Sequence, residues 1–188
     1  MVYVLLADGF EDMEAFAPID ILRRADIPVS LIGVGGESVR SSHGVPVQTD
    51  GGVDTVDRDA LEMLVLPGGR GVETLRADAG TIGLIRYCCE NRKLVGAICA
   101  APALLAELGF LRDRRAVCYP SCEEILEAHG ARVQRDERVT HDQNLITAQA
   151  AGACIEFGLK LAMMLRGWET SERVRKAICF VSGARALT

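Results

Sequence analysis

The chain has 188 residues, a net charge of −5, and 49% apolar but only 5% aromatic residues. That length supports a sizeable aliphatic core, expected as one domain spanning residues 1–188. The acidic balance, with no basic cluster to offset it, argues against nucleic acid or an anionic membrane as the main partner, and no 18-residue apolar run reads as a membrane span.

In chain order, Val2–Ala7 reads as a strand that begins at once, without the charged leader of a signal peptide. A helix is expected at Glu11–Ala25, a strand at Pro28–Val34, and a small polar hairpin within Val39–Asp50. A strand at Met63–Leu66 precedes helical material from Val72 to Asn91. Then come a strand at Leu94–Ile98, a helix at Ala100–Leu108, a short strand at Ala116–Cys118 and a helix at Ser121–His129. Arg138–Thr140 and Leu145–Ala148 suit a hairpin across Asp142–Asn144, and helices at Gly152–Leu165 and Thr170–Cys179 follow. This alternation predicts an α/β fold, a mostly parallel sheet with helices on both faces. In such sheets ligands bind beyond the carboxyl ends of the strands, so the strand-to-helix turns hold the candidate chemistry.

Three of these turns carry it. In "LVGAICAAPALLAELG" (Leu94–Gly109) an apolar run stops at Cys99 and a helical run starts, with Pro102 suited to its first turn and Gly109 to its end. A thiol there faces unpaired backbone N–H groups and the positive end of the helix dipole, both of which favour thiolate. The alternative is a small buried hydrophobe. In "LVLPGGRGVETL" (Leu64–Leu75) the pair Gly68–Gly69 permits a tight turn that offers N–H donors to an anion; neither G-x-G-x-x-G nor a P-loop is present. In "DGFEDMEAFAPIDILRRA" (Asp8–Ala25) Glu14 shares a row with Pro18, Ile21, Leu22 and Ala25, whereas Glu11, Asp12 and Asp20 occupy other rows. A carboxyl on that buried row has a raised pKa. If the turns meet, a neutral Glu14 donates a hydrogen bond to a Cys99 thiolate, whereas an ionised one opposes it.

Seven cysteines (88, 89, 99, 118, 122, 154 and 179) are odd in number and too few for a disulfide scaffold. They read as free thiols in a reducing cytosol, and a cytoplasmic location is expected. No metal site is expected, because "CYPSC" (Cys118–Cys122) has no second ligand pair and His43, His129 and His141 sit in polar surroundings. Cys118 reads as a buried strand-end residue and Cys88–Cys89 as helix packing.

Together the segments Ala7–Val29, Leu64–Gly71, Val95–Gly109 and Asn144–Gly167 resemble the ThiJ/PfpI superfamily, and within it the DJ-1 branch. The resemblance implies a flavodoxin-like three-layer sandwich, usually a homodimer, with an oxidisable nucleophilic cysteine and no cofactor. By position it makes Cys99 the nucleophile and Glu14 its acid/base partner, with oxyanion donors at Gly69 and Ala100 and Gly68 shaping the turn. The implied activity is that of a glutathione-independent glyoxalase or deglycase acting on a small carbonyl such as methylglyoxal. A redox sensor or chaperone whose cysteine is oxidised to sulfinate is the alternative. A cysteine peptidase or a thiamin-biosynthesis role is further off. Peptidase-like relatives carry His after the cysteine, where this chain has Ala100. Some members place His where Tyr119 stands, and the family's Gly-Pro-Gly-Thr run is here Ala150-Ala151-Gly152-Ala153.

Overall fold

Val2–Ala7 (β1) is buried at all six residues, as expected of a central parallel strand with both faces covered. In the computed structural model, which describes residues 1–181, β1 pairs in parallel with Val29–Val34 (β2) on one side and Met63–Leu66 (β6) on the other. Between β2 and β6 lie a hairpin of Ser38–Arg40 (β3) with Pro46–Gln48 (β4), and the two-residue strand Gly51–Gly52 (β5), which extends the sheet beyond β2. Leu94–Ile98 (β7) follows β6, and Leu145–Ala148 (β11) pairs parallel to β7. Val139–Asp142 (β10) closes that edge antiparallel to β11, through a turn at Gln143–Asn144. The seven-stranded order is β10-β11-β7-β6-β1-β2-β5. Counting only the long parallel strands, this is the flavodoxin-like order 2-1-3-4-5, whose direction reverses between β1 and β6.

The alternating side chains of β1 point into two separate cores. Tyr3, Leu5 and Ala7 pack beneath Val72–Ala77 (α2), Ala79–Glu90 (α3), Ala101–Glu107 (α4) and Glu123–Ala128 (α5). Val2, Val4 and Leu6 pack beneath Asp12–Arg24 (α1) and Cys154–Ala177 (α6). The expected sandwich is therefore present, with α1 and α6 forming one outer layer. They approach closely because Gly158 has no side chain: a Cβ there would stand 2.7 Å from Ile21 and 3.0 Å from Pro18. α1 runs through Pro18 as one helix.

The differences from expectation are local. The run Val72–Asn91 splits at Asp78, whose carboxylate caps α3 by accepting the Thr81 N–H at 2.6 Å. The strand expected at Ala116–Cys118 is Arg115–Ala116 (β8), paired not with the main sheet but with Arg132–Val133 (β9). The two C-terminal helices meet at Gly167 (φ 82°, ψ 171°), and there the chain turns back on itself. The fold-back is fixed by the buried Ser171 hydroxyl, which donates to the Leu159 carbonyl at 2.8 Å.

Candidate active site

The carboxyl ends of β1, β6 and β7 are neighbours, so the turns after them face one another across the reversal in strand order. After β1 the chain turns at Gly9 (φ 83°) and Glu11 caps α1, accepting the Glu14 N–H at 2.8 Å. This places Glu14 in the first helical turn, on the row that faces the core, where it is 1% exposed. Its Oε2 accepts the Gly68 N–H at 2.9 Å, and the Cys99 side chain lies beside the same glycine. Burial dominates its donors, and with the nearby charge of Glu11 it lifts Glu14 to about 7.

The turn after β6 works only with glycine. A Cβ on Gly68 would lie 2.5 Å from Glu14 Oε2, 2.6 Å from Cys99 Cβ and 3.1 Å from its Sγ. Gly69 has φ 83°, and a Cβ on it would strike the Gly9 carbonyl at 2.4 Å. This tight approach is fastened by a bridge between Phe10 and Gly69 and by the Glu11 N–H, which donates to the Gly68 carbonyl at 3.1 Å.

Cys99 itself has φ 65°, a left-handed conformation that costs a non-glycine residue about 1–3 kcal/mol. Its N–H donates to the Ala148 carbonyl at 3.0 Å, and its carbonyl accepts the Tyr119 N–H at 2.8 Å. Ala100 caps α4 without a side-chain bond, and the backbone N–H groups of Gly69 and Ala100 favour the charged form of the sulfur. The five residues singled out from sequence, Glu14, Gly68, Gly69, Cys99 and Ala100, thus share one spot. The thiolate expectation needs correcting. Burial, then the adjacent Glu14 charge, pushes the Cys99 thiol up to about 12, against the pull of the two N–H donors. Glu14 therefore gives up its proton first. The pair then holds one negative charge, which a single proton shift moves from carboxylate to sulfur. In that second form the sulfur keeps both N–H donors and no longer feels a carboxylate charge.

Other residues fall outside this spot or serve it indirectly. Cys118 is 1% exposed, in the core on the opposite face of the sheet from Glu14's helix. Tyr119, bonded to Cys99 through its backbone, is 46% exposed. His43 pairs with Asp12 at 2.7 Å, and the His129 ring bonds the Ile125 carbonyl. Glu11, Asp12 and His43 lie close enough for a cation, but Asp12 is already held by Ser41 and His43 and Glu11 by its capping bond. A cavity of about 730 Å³ opens beyond β2 and β5, lined by Gly35, Asp50, Asp54, Arg58 and Asp78; none of the five site residues lines it, so chemistry rather than volume places the candidate site.

The model of the DJ-1/PfpI family matches residues 1–164. The Drosophila melanogaster protein dj-1beta is 37% identical over 93% of this chain and 94% of its own length. Its crystal structure superposes with a TM-score of 0.91 at 35% identity, covering 96% of this chain and 98% of that one. A glutathione-independent glyoxalase of Caenorhabditis elegans is 28% identical over 94% of each chain. A deglycase of Thermococcus kodakarensis is 28% identical over 88% of this chain and 99% of its own.

Proposed function

The chain belongs to the DJ-1/PfpI family, and from that premise we propose that it is a cysteine-dependent enzyme acting on small reactive carbonyls. The observation that carries this reading is the convergence of the Cys99 sulfur and the Glu14 carboxyl on Gly68, next to the backbone N–H groups of Gly69 and Ala100, at the reversal in strand order. Relatives named glyoxalase and deglycase support it.

With methylglyoxal the sequence of steps is as follows. The Cys99 proton passes to the Glu14 carboxylate and the sulfur attacks the aldehyde carbon, forming a C–S bond. The aldehyde oxygen becomes an oxyanion facing the Gly69 and Ala100 N–H groups and takes up a proton as the hemithioacetal. Glu14, ionised again, removes the hydrogen from that carbon and returns a proton to the neighbouring one, while the hydroxyl proton passes to the former ketone oxygen, leaving a lactoyl thioester. Water cleaves the thioester, releasing lactate and restoring the thiol. A carboxyl that titrates near 7 can both accept and donate at neutral pH. No cofactor is needed.

The whole of residues 1–188 would act as one unit, in a reducing, cytoplasmic setting that suits seven free cysteines. A second copy is the expected partner: Met13 and Ile155, on α1 and α6, are exposed apolar residues on the outer layer. Among the described residues no helix is long and apolar enough to cross a membrane. The test is lactate formation from methylglyoxal, measured with Cys99→Ser alongside the wild type; we expect a loss of at least about 1000-fold. Equal rates would end the proposal. Should both be negligible while dilute peroxide converts Cys99 cleanly to sulfinate, the sensor reading of the same thiol takes its place.

A further inference from the structure

The turn that leads into the helix bearing Glu14 is held on two sides. On the inner side the glycine turn after β6 grips it: the Gly71 N–H donates to the Gly9 carbonyl at 3.2 Å, and the Glu11 N–H donates to the Gly68 carbonyl at 3.1 Å. On the outer side lies the tip of the β3–β4 hairpin. The Gly9 N–H donates to the Arg40 carbonyl and the Arg40 N–H to the Asp8 carboxylate, both at 2.8 Å. Ser42 then bonds twice, through its N–H to the Phe10 carbonyl and through its hydroxyl to the Gly9 carbonyl, again at 2.8 Å. The Gly9 carbonyl thus accepts from the hairpin and from the glycine turn at once.

Asp12 completes the outer grip. It stands in the first turn of α1, two residues before Glu14. Its carboxylate meets three groups of the hairpin tip: the Ser41 hydroxyl, the His43 N–H at 3.3 Å and the His43 ring Nδ1 at 2.7 Å. Ser41 is buried, and its side-chain oxygen also accepts the Val45 N–H at 3.0 Å, which closes the tip on itself. The inner grip sets the place of Gly68, whose N–H is accepted by Glu14 at 2.9 Å. Releasing the outer grip lets the turn lean away from Gly68, and small displacements of reacting groups are costly.

We propose that Asp12 is a positioning residue for the candidate site. By fastening the hairpin tip over the turn between β1 and α1, it holds the Glu14 carboxyl on the Gly68 N–H and beside Cys99. The inference rests on the reading that Glu14 exchanges a proton with Cys99, and it deepens that reading. Two variants separate the grip from the charge. Asp12→Ala removes all three contacts. Asp12→Asn removes the charge but keeps a carbonyl oxygen for the donors of the tip. Ser171→Ala is the stability control, because it loses a buried hydroxyl bond to the Leu159 carbonyl, away from the five site residues.

The experiment measures kcat and KM for lactate formation from methylglyoxal, and the rate of Cys99 alkylation by iodoacetamide at neutral pH, read by mass spectrometry. Both are run well below the thermal midpoint of every variant. Asp12→Ala is expected to lower kcat about tenfold with KM changed by less than about twofold, because the alignment of reacting groups is lost and substrate binding is not. Alkylation slows as well, since the Cys99 proton has lost a well-placed acceptor. Asp12→Asn recovers most of both rates, and Ser171→Ala leaves both unchanged while its thermal midpoint falls. Wild-type rates in Asp12→Ala overturn the proposal. Equal losses in Asp12→Ala and Asp12→Asn assign the effect to charge at the helix start and overturn it too, as does a matching loss in Ser171→Ala. A wild type that forms no lactate defeats the carbonyl reading instead, and the alkylation rates then decide the role of Asp12 by themselves.

Discussion

Glu14 and Glu62 stand near opposite ends of β6 and are driven in opposite directions. Glu62 lies just before the strand, 41% exposed, and accepts the Met1 ammonium at 2.7 Å and the Arg166 guanidinium at 2.9 Å. Hydrogen bonds from Arg166 and then from the ammonium hold its carboxyl down at about 2. Glu14, bonded to Gly68 just after the same strand, has no cation partner among the described residues, and burial lifts it to about 7. One end of the strand is arranged so that charge is matched. The other keeps a carboxyl short of compensation, as sites that move protons do. At β6, then, the amino end matches its charge and the carboxyl end leaves a carboxyl under-compensated.

The contrast can be broken most sharply at Gly68. Placing alanine there drives a methyl group into both Glu14 and Cys99. Carbonyl turnover should fall by on the order of 100-fold, because displacement of reacting groups by about 1 Å has that effect. Steady-state lactate assays check it, and an unimpaired variant would show that the two side chains need not meet.

Next in size is the pH dependence of stability. A carboxyl raised from 4.5 to about 7 favours the folded state fully below pH 4.5 and loses that contribution as pH rises through 7. Urea unfolding of Glu14→Gln should lack this slope. Relative to wild type the variant gains about 3 kcal/mol between pH 4.5 and 8, and parallel curves would mean that Glu14 ionises freely. Glu62 has the opposite sign. Its contribution is present above pH 4.5 and lost as pH falls through about 2. Because the cluster is part-exposed, Glu62→Gln should cost under about 1 kcal/mol at pH 7, less in high salt, with turnover unchanged. A change in turnover would couple the two ends of β6.

The pattern of apolar runs made the five main parallel strands and both helical layers readable, because each central strand is buried on both faces. Strands of two residues, such as Gly51–Gly52 and Arg132–Val133, are too short to leave a period. The break at Asp78 does leave a capping signal, which a search for one long helix passes over. At the site, residue type pointed to Glu14, Gly68, Gly69 and Cys99. The pull on the sulfur came out reversed because helix-end donors are visible in a sequence and the depth of burial is not. The Arg138 contact with Glu156 joins residues 18 apart whose pairing is set only by the tertiary fold.

The fold-back at Gly167 lies beyond the stretch that the family model matches. It carries Val174 into the core shared with Ile21 and Leu22, and Arg173 onto the Arg24 carbonyl and Asp26. The helix bearing the acid emerges early from the ribosome, whereas the segment that covers its far end emerges much later. During synthesis, then, the far end of that helix gains these last packing partners only once translation has passed Val174.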